Sequence, residues 1–493
     1  MAYSFLRFHC GFAACCAVYP ILSVAATPSA LLNPNFDGGA LVQQAVPSDH
    51  KPTISAPAQP TTSVLVTDVD LSQLRPSQLL QDQPLTEQLL QQALQQKQWP
   101  LLAKIIPIYA QIPTHDSILL AYAQGALWRQ QGHHEQAIKA YRHIVAQQPN
   151  LLYVRFDLAA MLYENKEYTA AQDQFIKVKS ANGQPNIQHL SNQYLEAIQR
   201  KMGWDIQLGM QYVKNDNVNN ASSVKEFNLG PYRFTKNDDT LPKKANGISA
   251  YFSAHREFNL KGNHFATLTA QLNGTRYWDQ PDYNEHTFKL EGGYKYQTIH
   301  ASLAFTPFVE QNWLDDQRYG HHLGLVSEYS RWLSPRTQAI GAYTYAHKRY
   351  ADAALRRYQG NLHAFSGTLA HFMSPTFMLH GGLDHQIDRL QAVDESSKKI
   401  SARIGFAKEL AGGISTRVNL RYGQRQFDAP HFFLNQTRKD TEYQANLALW
   451  HRALHFKGLT PKLNVRYQKI RSNLPAFYSR QNQQWYVSLE KTF

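Results

Sequence analysis

Two short runs place cations at alternate positions: Arg417, Asn419 and Arg421, then Lys462, Asn464 and Arg466. In an extended strand alternate side chains share one face, so each run would set two cations and an amide on one wall. If that wall is wet, the chemistry on offer is electrostatic. A basic stripe of Arg417, Arg421, Lys462 and Arg466 would ease passage of an acidic or unfolded polypeptide. The alternative is a wall whose cations are balanced by acids such as Glu442 and Glu490. Bond-making chemistry has no comparable support. There is no Gly-x-Ser-x-Gly elbow, no phosphate-cradling Gly-x-x-x-x-Gly-Lys run and no His-Glu-x-x-His helix. The 21 histidines include His133-His134, His321-His322 and the pair His380/His385, but none has neighbours at metal- or haem-ligand spacing. The expectation is a protein without catalytic residues, metal or cofactor.

Elements that could position such a stripe begin near Gly203, where ten-residue stretches of alternating polarity repeat to the end of the chain. In Ile414–Tyr422, Ile414, Thr416, Val418, Leu420 and Tyr422 alternate with Ser415, Arg417, Asn419, Arg421 and Gly423. In the last stretch Trp485, Val487, Leu489 and Phe493 oppose Gln484, Tyr486, Ser488 and Glu490. A period of two sustained over this length puts one face in hydrocarbon and the other in water, and lipid-facing strands must close on themselves. About fourteen strands are expected. Short connections such as Trp332-Leu333-Ser334-Pro335 and Ala411-Gly412-Gly413 read as periplasmic turns, while 215–243, 349–357, 391–397 and 428–439 read as outside loops. An even count returns both barrel ends to the periplasmic side, and Phe493 would be the C-terminal residue met by a barrel-assembly machinery.

Upstream the period changes to helical. Leu85, Leu89, Leu90 and Leu94 share a helix face, with Pro84 in the first turn. Gly125, Trp128, Ala137, Tyr141 and Pro149 stand at the small, bulky, small, aromatic and terminating positions of a tetratricopeptide unit. One repeat later come Ala159, Leu162, Ala171 and Phe175, with Gly183 replacing the proline. The alanines let paired helices approach, and Tyr141 and Phe175 fill the gap to the next helix. Ala103 keeps the register upstream, but Pro107 stands where the aromatic belongs, so that unit is degraded. Such arrays present a surface to peptides or protein domains.

At the N-terminus Arg7 precedes an apolar run, Phe8–Val24, and the small residues Ser23-Val24-Ala25-Ala26, as in a secretory signal cleaved near Ala26. All three cysteines, Cys10, Cys15 and Cys16, lie in that leader. This excludes disulfide frameworks and cysteine chemistry from the mature chain, although Phe12-Ala13-Ala14-Cys15 also loosely matches a lipidation site. Residues 27–78 are rich in Pro, Ala, Ser, Thr and Gln, and read as an extended linker. The expected organisation is a signal over 1–26, linker over 27–78, periplasmic helical domain over 79–201 and outer-membrane β-barrel over 202–493. The chain of 493 residues carries a net charge of +13. Outside the cytoplasm, that charge points to anionic lipid headgroups or an acidic cargo protein rather than nucleic acid. The 27 Tyr, 24 Phe and 8 Trp suit interfacial girdles.

Helical repeats followed by a barrel of this size resemble the Slam family, the surface lipoprotein assembly modulators of the type XI secretion system. The stretch Gly458-Leu459-Thr460-Pro461-Lys462-Leu463, then Tyr467, Arg471-Ser472-Asn473 and the final strand, is similar to the end of that family's barrel. Trp313, the Asp315-Asp316 turn and Tyr319 are similar to an internal stretch of it. The resemblance implies an outer-membrane translocon delivering surface lipoproteins, or soluble haem- or metal-acquisition proteins, from the periplasm. Its repeats would engage cargo or a periplasmic chaperone. A porin-like channel with a docking domain, or an exopolysaccharide export pore, are the other readings of the same architecture. Polysaccharide pores usually carry a longer array.

Overall fold

The computed structural model describes residues 76–181, 185–229, 231–432, 434–456 and 459–492. The expected leader, most of the linker, the three cysteines and Phe493 lie outside them.

Among the described residues, eight helices precede the strands. They are α1 (Pro76–Gln81), α2 (Gln83–Gln95), α3 (Trp99–Tyr109), α4 (Ser117–Gln130), α5 (His134–Gln147), α6 (Leu152–Glu164), α7 (Tyr168–Ser180) and α8 (Pro185–Met202). Helix starts are capped where the sequence provides for it: Asp82 accepts from the Leu85 amide, and Asp116 from those of Ile118 and Leu119. Between the helices of each hairpin sits one left-handed residue: Lys97, Gly132 and Lys166. That recurring turn is the backbone mark of the repeat. Leu89, Leu90, Leu102, Ile105 and Tyr109 form one core, and Ile138, Tyr141, Phe156, Leu162 and Phe175 the next. The degraded unit is repaired locally. Helix α3 runs through Pro107 to Tyr109, which is fully buried and donates its hydroxyl to Glu87 at 2.7 Å.

The rest is a closed antiparallel barrel whose fourteen strands correspond one for one to the alternating stretches. It opens with β1 (Trp204–Asn215). A small hairpin, β2 (Glu226–Leu229) and β3 (Tyr232–Thr235), interrupts the first long connection outside the barrel sheet. Then follow β4 (Ala245–Lys261), β5 (His264–Tyr277), β6 (Glu285–Gln297), β7 (Ala301–Leu314) and β8 (Gln317–Ser334). The far wall is β9 (Thr337–Tyr350), β10 (Gly360–Ser374), β11 (Phe377–Leu390), β12 (Ser397–Glu409) and β13 (Ile414–Pro430). The last strands are β14 (Thr437–His451), β15 (Thr460–Ser472) and β16 (Arg480–Thr492), and β16 pairs with β1 to close the cylinder. Each strand pairs with its sequence neighbour, so the topology is up-and-down.

The two faces differ as lipid and water require. On β12, Ile400 and Ile404 are each 62% exposed, while Ser401 between them is 2% exposed. Leu369, Leu383, Met210 and Val487 likewise point outward. Aromatic side chains gather on the same outer face, as in the Tyr212–Trp278 stack and the Trp204–Arg256–Phe258 group. No helix is long and apolar enough to cross a membrane among the described residues; the strands do the crossing. One end of the barrel carries short turns and both barrel termini, the other the long connections together with the tight Asp315-Asp316 turn.

Candidate functional site

The stripe residues Arg417 and Arg421 on β13, and Lys462 and Arg466 on β15, alternate with the outward Leu420, Tyr422 and Leu463 and therefore face the lumen. Their surroundings differ along its length. Near the short-turn mouth Arg417 and Lys462 lie over one ring, Trp450 of β14, at 5.8 and 5.5 Å. Midway, Arg421 is ion-paired with Asp384 of β11. Towards the loop end Arg466 is within electrostatic reach of Glu285 on β6, five strands away around the cylinder.

Sequence reasoning named Glu442 but missed Asp384 and Asp388, the other acids that organise this wall. Asp384 also takes Arg403 of β12 at 2.8 Å and accepts from Ser366 of β10 at 2.8 Å, while Arg403 reaches Thr368 at 2.9 Å. One rung further, Asp388 takes Lys348 of β9 at 3.0 Å and Arg425 of β13 at 3.3 Å. Arg425 continues to Glu442 of β14 at 3.0 Å, and Glu442 accepts from Lys399 at 2.7 Å. Glu442 thus balances lumenal cations, but Lys399 and Arg425 rather than the stripe residues. Arg403–Asp384 and Arg425–Glu442 join neighbouring strands, while the other pairs join strands two apart, whose inward side chains converge above the intervening strand. Two shielded carboxylates with more than one cationic partner each, Asp384 and Asp388, are held because their neighbours replace lost water.

The opposite wall carries ion pairs as well. Glu257 pairs with Lys295 at 2.8 Å, Lys289 with Glu291, and Glu310 with His322 at 3.0 Å. The histidine pairs separate: His322 is fully buried in the lumen with Glu310 and Asn312, while His321 points out. His380 faces in and His385 out, on opposite faces of β11.

The array is seated on the short-turn end. The Thr169 amide donates to Asn259 Oδ1 at 2.8 Å, and Asn263 donates to the Asn165 carbonyl. The Tyr168 ring meets Phe265 edge-on at 6.0 Å. At the next barrel turn, His300 donates from Nε2 to the Gly132 carbonyl at 3.2 Å, and its ring lies 5.7 Å from that of His134. Two successive repeat turns therefore rest on two successive barrel turns. Of the pair His133-His134, His133 is exposed and His134 is half-buried against the barrel, a contact no local pattern encodes. Arg256 also donates to the Met202 carbonyl at 3.0 Å, fixing the last helix to the first hairpin.

Within the array the repeat residues occupy its core. Ala137, Ala159, Ala171 and Phe175 are fully buried, Leu162 and Tyr141 nearly so, and Trp128 packs against them. A Cβ on Gly125 would meet the Tyr141 ring at 2.3 Å, so glycine is required for that contact. Between repeats Arg129 grips Glu164 at 2.7 Å, and Tyr122 donates to Asp157 at 2.7 Å. Burial pushes the Asp157 carboxyl above its ordinary range, with Arg129 and the Tyr122 hydroxyl opposing.

Known proteins share both halves. Residues 204–493 match the family model described as surface lipoprotein assembly modifier, and residues 72–175 match its N-terminal TPR repeats. Surface lipoprotein assembly modifier 1 of Haemophilus influenzae is 31% identical over 397 residues, covering 79% of this chain and 80% of that protein. The hemophilin secretion modulator of Acinetobacter baumannii is 24% identical over 425 residues, covering 81% and 84%. Among solved structures the barrel is similar to that of Acinetobacter baumannii OccAB3, with a TM-score of 0.33 and 10% identity, covering 59% of this chain and 99% of that one. With its helical repeats and its closed outer-membrane barrel both accounted for, the chain belongs to the surface lipoprotein assembly modifier family.

Proposed function

We propose that this protein is an outer-membrane translocon that delivers specific cargo proteins from the periplasm to the cell surface or medium. The cargo is a lipoprotein or a soluble haem- or metal-acquisition protein. The observation that carries the reading is the family match across both halves of the chain, which joins relatives named for lipoprotein assembly and for hemophilin secretion. The seating of the array on the short-turn end agrees with it. In this reading that end faces the periplasm, the repeats receive cargo or its chaperone, and the lumen is the exit.

The ion-paired wall suits that task. Each carboxylate of Asp384, Asp388 and Glu442 is held by at least two cations. An acidic segment of passing chain can replace one carboxylate at a guanidinium while the displaced acid keeps its other partner. No step then leaves a charge unpaired, which is the costly outcome. Contacts of this kind are exchangeable and give passage without tight retention.

Deletion of the gene followed by surface and medium proteomics tests the reading. Loss of one or a few proteins from outside, with the same proteins retained in the periplasm, is expected. An unchanged exoproteome with altered uptake of small solutes would instead make this a channel.

A further inference from the structure

A closed barrel of this size poses a problem that wall side chains alone do not solve. Eight-stranded barrels are filled by their own side chains, and barrels of 16–18 strands leave an aqueous channel. Fourteen strands lie close to the open case. An exporter at rest needs something else across the bore, because an unplugged one would leak solutes.

The first long connection supplies it. Asn217, Val218, Asn219, Ala221 and Ser222 are buried, from 0 to 6% exposed, although they follow a strand end where loops ordinarily meet water. Their packing shows where they go. Val218 sits against Val213, Ala245 and Tyr277, with Tyr283 and Tyr486 beside them. Val213 and Tyr486 are inward-facing, since they alternate with the outward Tyr212, Trp485 and Val487. The segment therefore folds back inside the loop-end mouth.

Its fastenings are almost all neutral hydrogen bonds. Asn217 donates from Nδ2 to the carbonyls of Ala221 at 2.9 Å and Gln481 at 3.0 Å, and accepts the Ala221 amide at 2.9 Å. Asn482 donates to the Asn217 carbonyl at 3.2 Å. Asn219 donates to the Leu241 carbonyl at 2.8 Å and accepts from the Lys243 amide at 2.9 Å. Ser222 donates to the Pro475 carbonyl at 2.9 Å. A roof lies over it. Lys236 donates to the Ala476 carbonyl, and Phe227, stacked on Phe234, meets Phe477 edge-on at 4.9 Å, tying the β2–β3 hairpin to a short helix, α9 (Pro475–Tyr478). Amides and hydroxyls of this kind exchange their partners for water or for another polypeptide at little net cost, and the apolar contact is made by a small side chain, Val218.

We infer that residues 215–223 are a displaceable plug that closes the outer mouth of the lumen at rest and swings out when a polypeptide arrives from the short-turn side. Its purpose rests on the export reading; its existence does not.

The test uses the full-length protein in planar bilayers. Wild type should be nearly silent. Replacing 216–223 by a short Gly-Ser linker should raise steady conductance by about tenfold or more and render cells sensitive to an antibiotic normally excluded by size. Asn217→Ala with Asn219→Ala, a milder change, should give flickering openings in a barrel that remains heat-modifiable on gels. Ser222→Cys with Ala476→Cys should, when oxidised, stop export until a reductant is added. A linker variant as silent as wild type, a wild type that is continuously open, or export that persists through the cross-link would each overturn the inference. An unchanged exoproteome in the deletion strain would sink the export reading while leaving the conductance result intact.

Discussion

Asp384 holds two guanidinium groups at once, and that double duty makes it the residue whose loss should be felt most in the barrel. Asp384→Ala would remove from the shielded Arg403 and Arg421 the carboxylate they share. Breaking a buried pair in this way costs about 3–5 kcal/mol. The expected result is a clear drop in the temperature at which the folded band is lost on gels; no drop would mean that water already screens the site. In the array, Gly125→Val drives a methyl into the Tyr141 ring and should destabilise the helices by about 1–3 kcal/mol, read by helical circular dichroism while the barrel stays heat-modifiable. Asp157 gives the array a pH dependence. Because its folded-state pKa is raised, the folded form keeps the proton longer than the unfolded one. Its contribution to stability is present below the unfolded pKa and is lost as pH rises through the folded one. Denaturation midpoints measured upward from about pH 4 should therefore fall less steeply in Asp157→Asn. The sequence exposed the stripe but not its partners for a physical reason. Alternation is local, so Arg417, Arg421, Lys462 and Arg466 declare their face, whereas Asp384 meets Arg421 only through the register of three strands.

The decisive element contact is the one between repeat turns and barrel turns. Asn263→Ala with Thr169→Ala removes side-chain bonds at one of the two seats, and should loosen the array without altering the barrel. Limited proteolysis should then release the helices faster, and export should fall with no change in heat-modifiability. Equal protease resistance would show that His300 and Arg256 hold the array by themselves. At this scale the elements themselves were legible. Strand and helix periods are written in consecutive side chains, and Gly125, Ala137 and Tyr141 announce the repeat. The seating was not, because Asn263 and His300 are unremarkable turn residues until the fold brings Asn165 and Gly132 to them. The β2–β3 hairpin and the inward fold of 215–223 were hidden for the same reason: Asn and Ser runs read as loop wherever they end up.

As a whole, the molecule joins a helical-repeat array to a lumen lined by ion pairs. Removing residues 79–200 should leave a folded barrel that exports nothing; export by the barrel alone would free the array from that role. Exported protein is expected to pass through the cylinder rather than beside it. A photo-cross-linking amino acid at Arg421 or Gln444, inside the wall, or at Ile404 or Leu463, on its outer face, addresses this in secreting cells. The lumenal positions are expected to capture a protein that is later found outside the cell, and the outward positions lipid or nothing. Capture from the outer face alone, with secretion undiminished, would contradict a lumenal route.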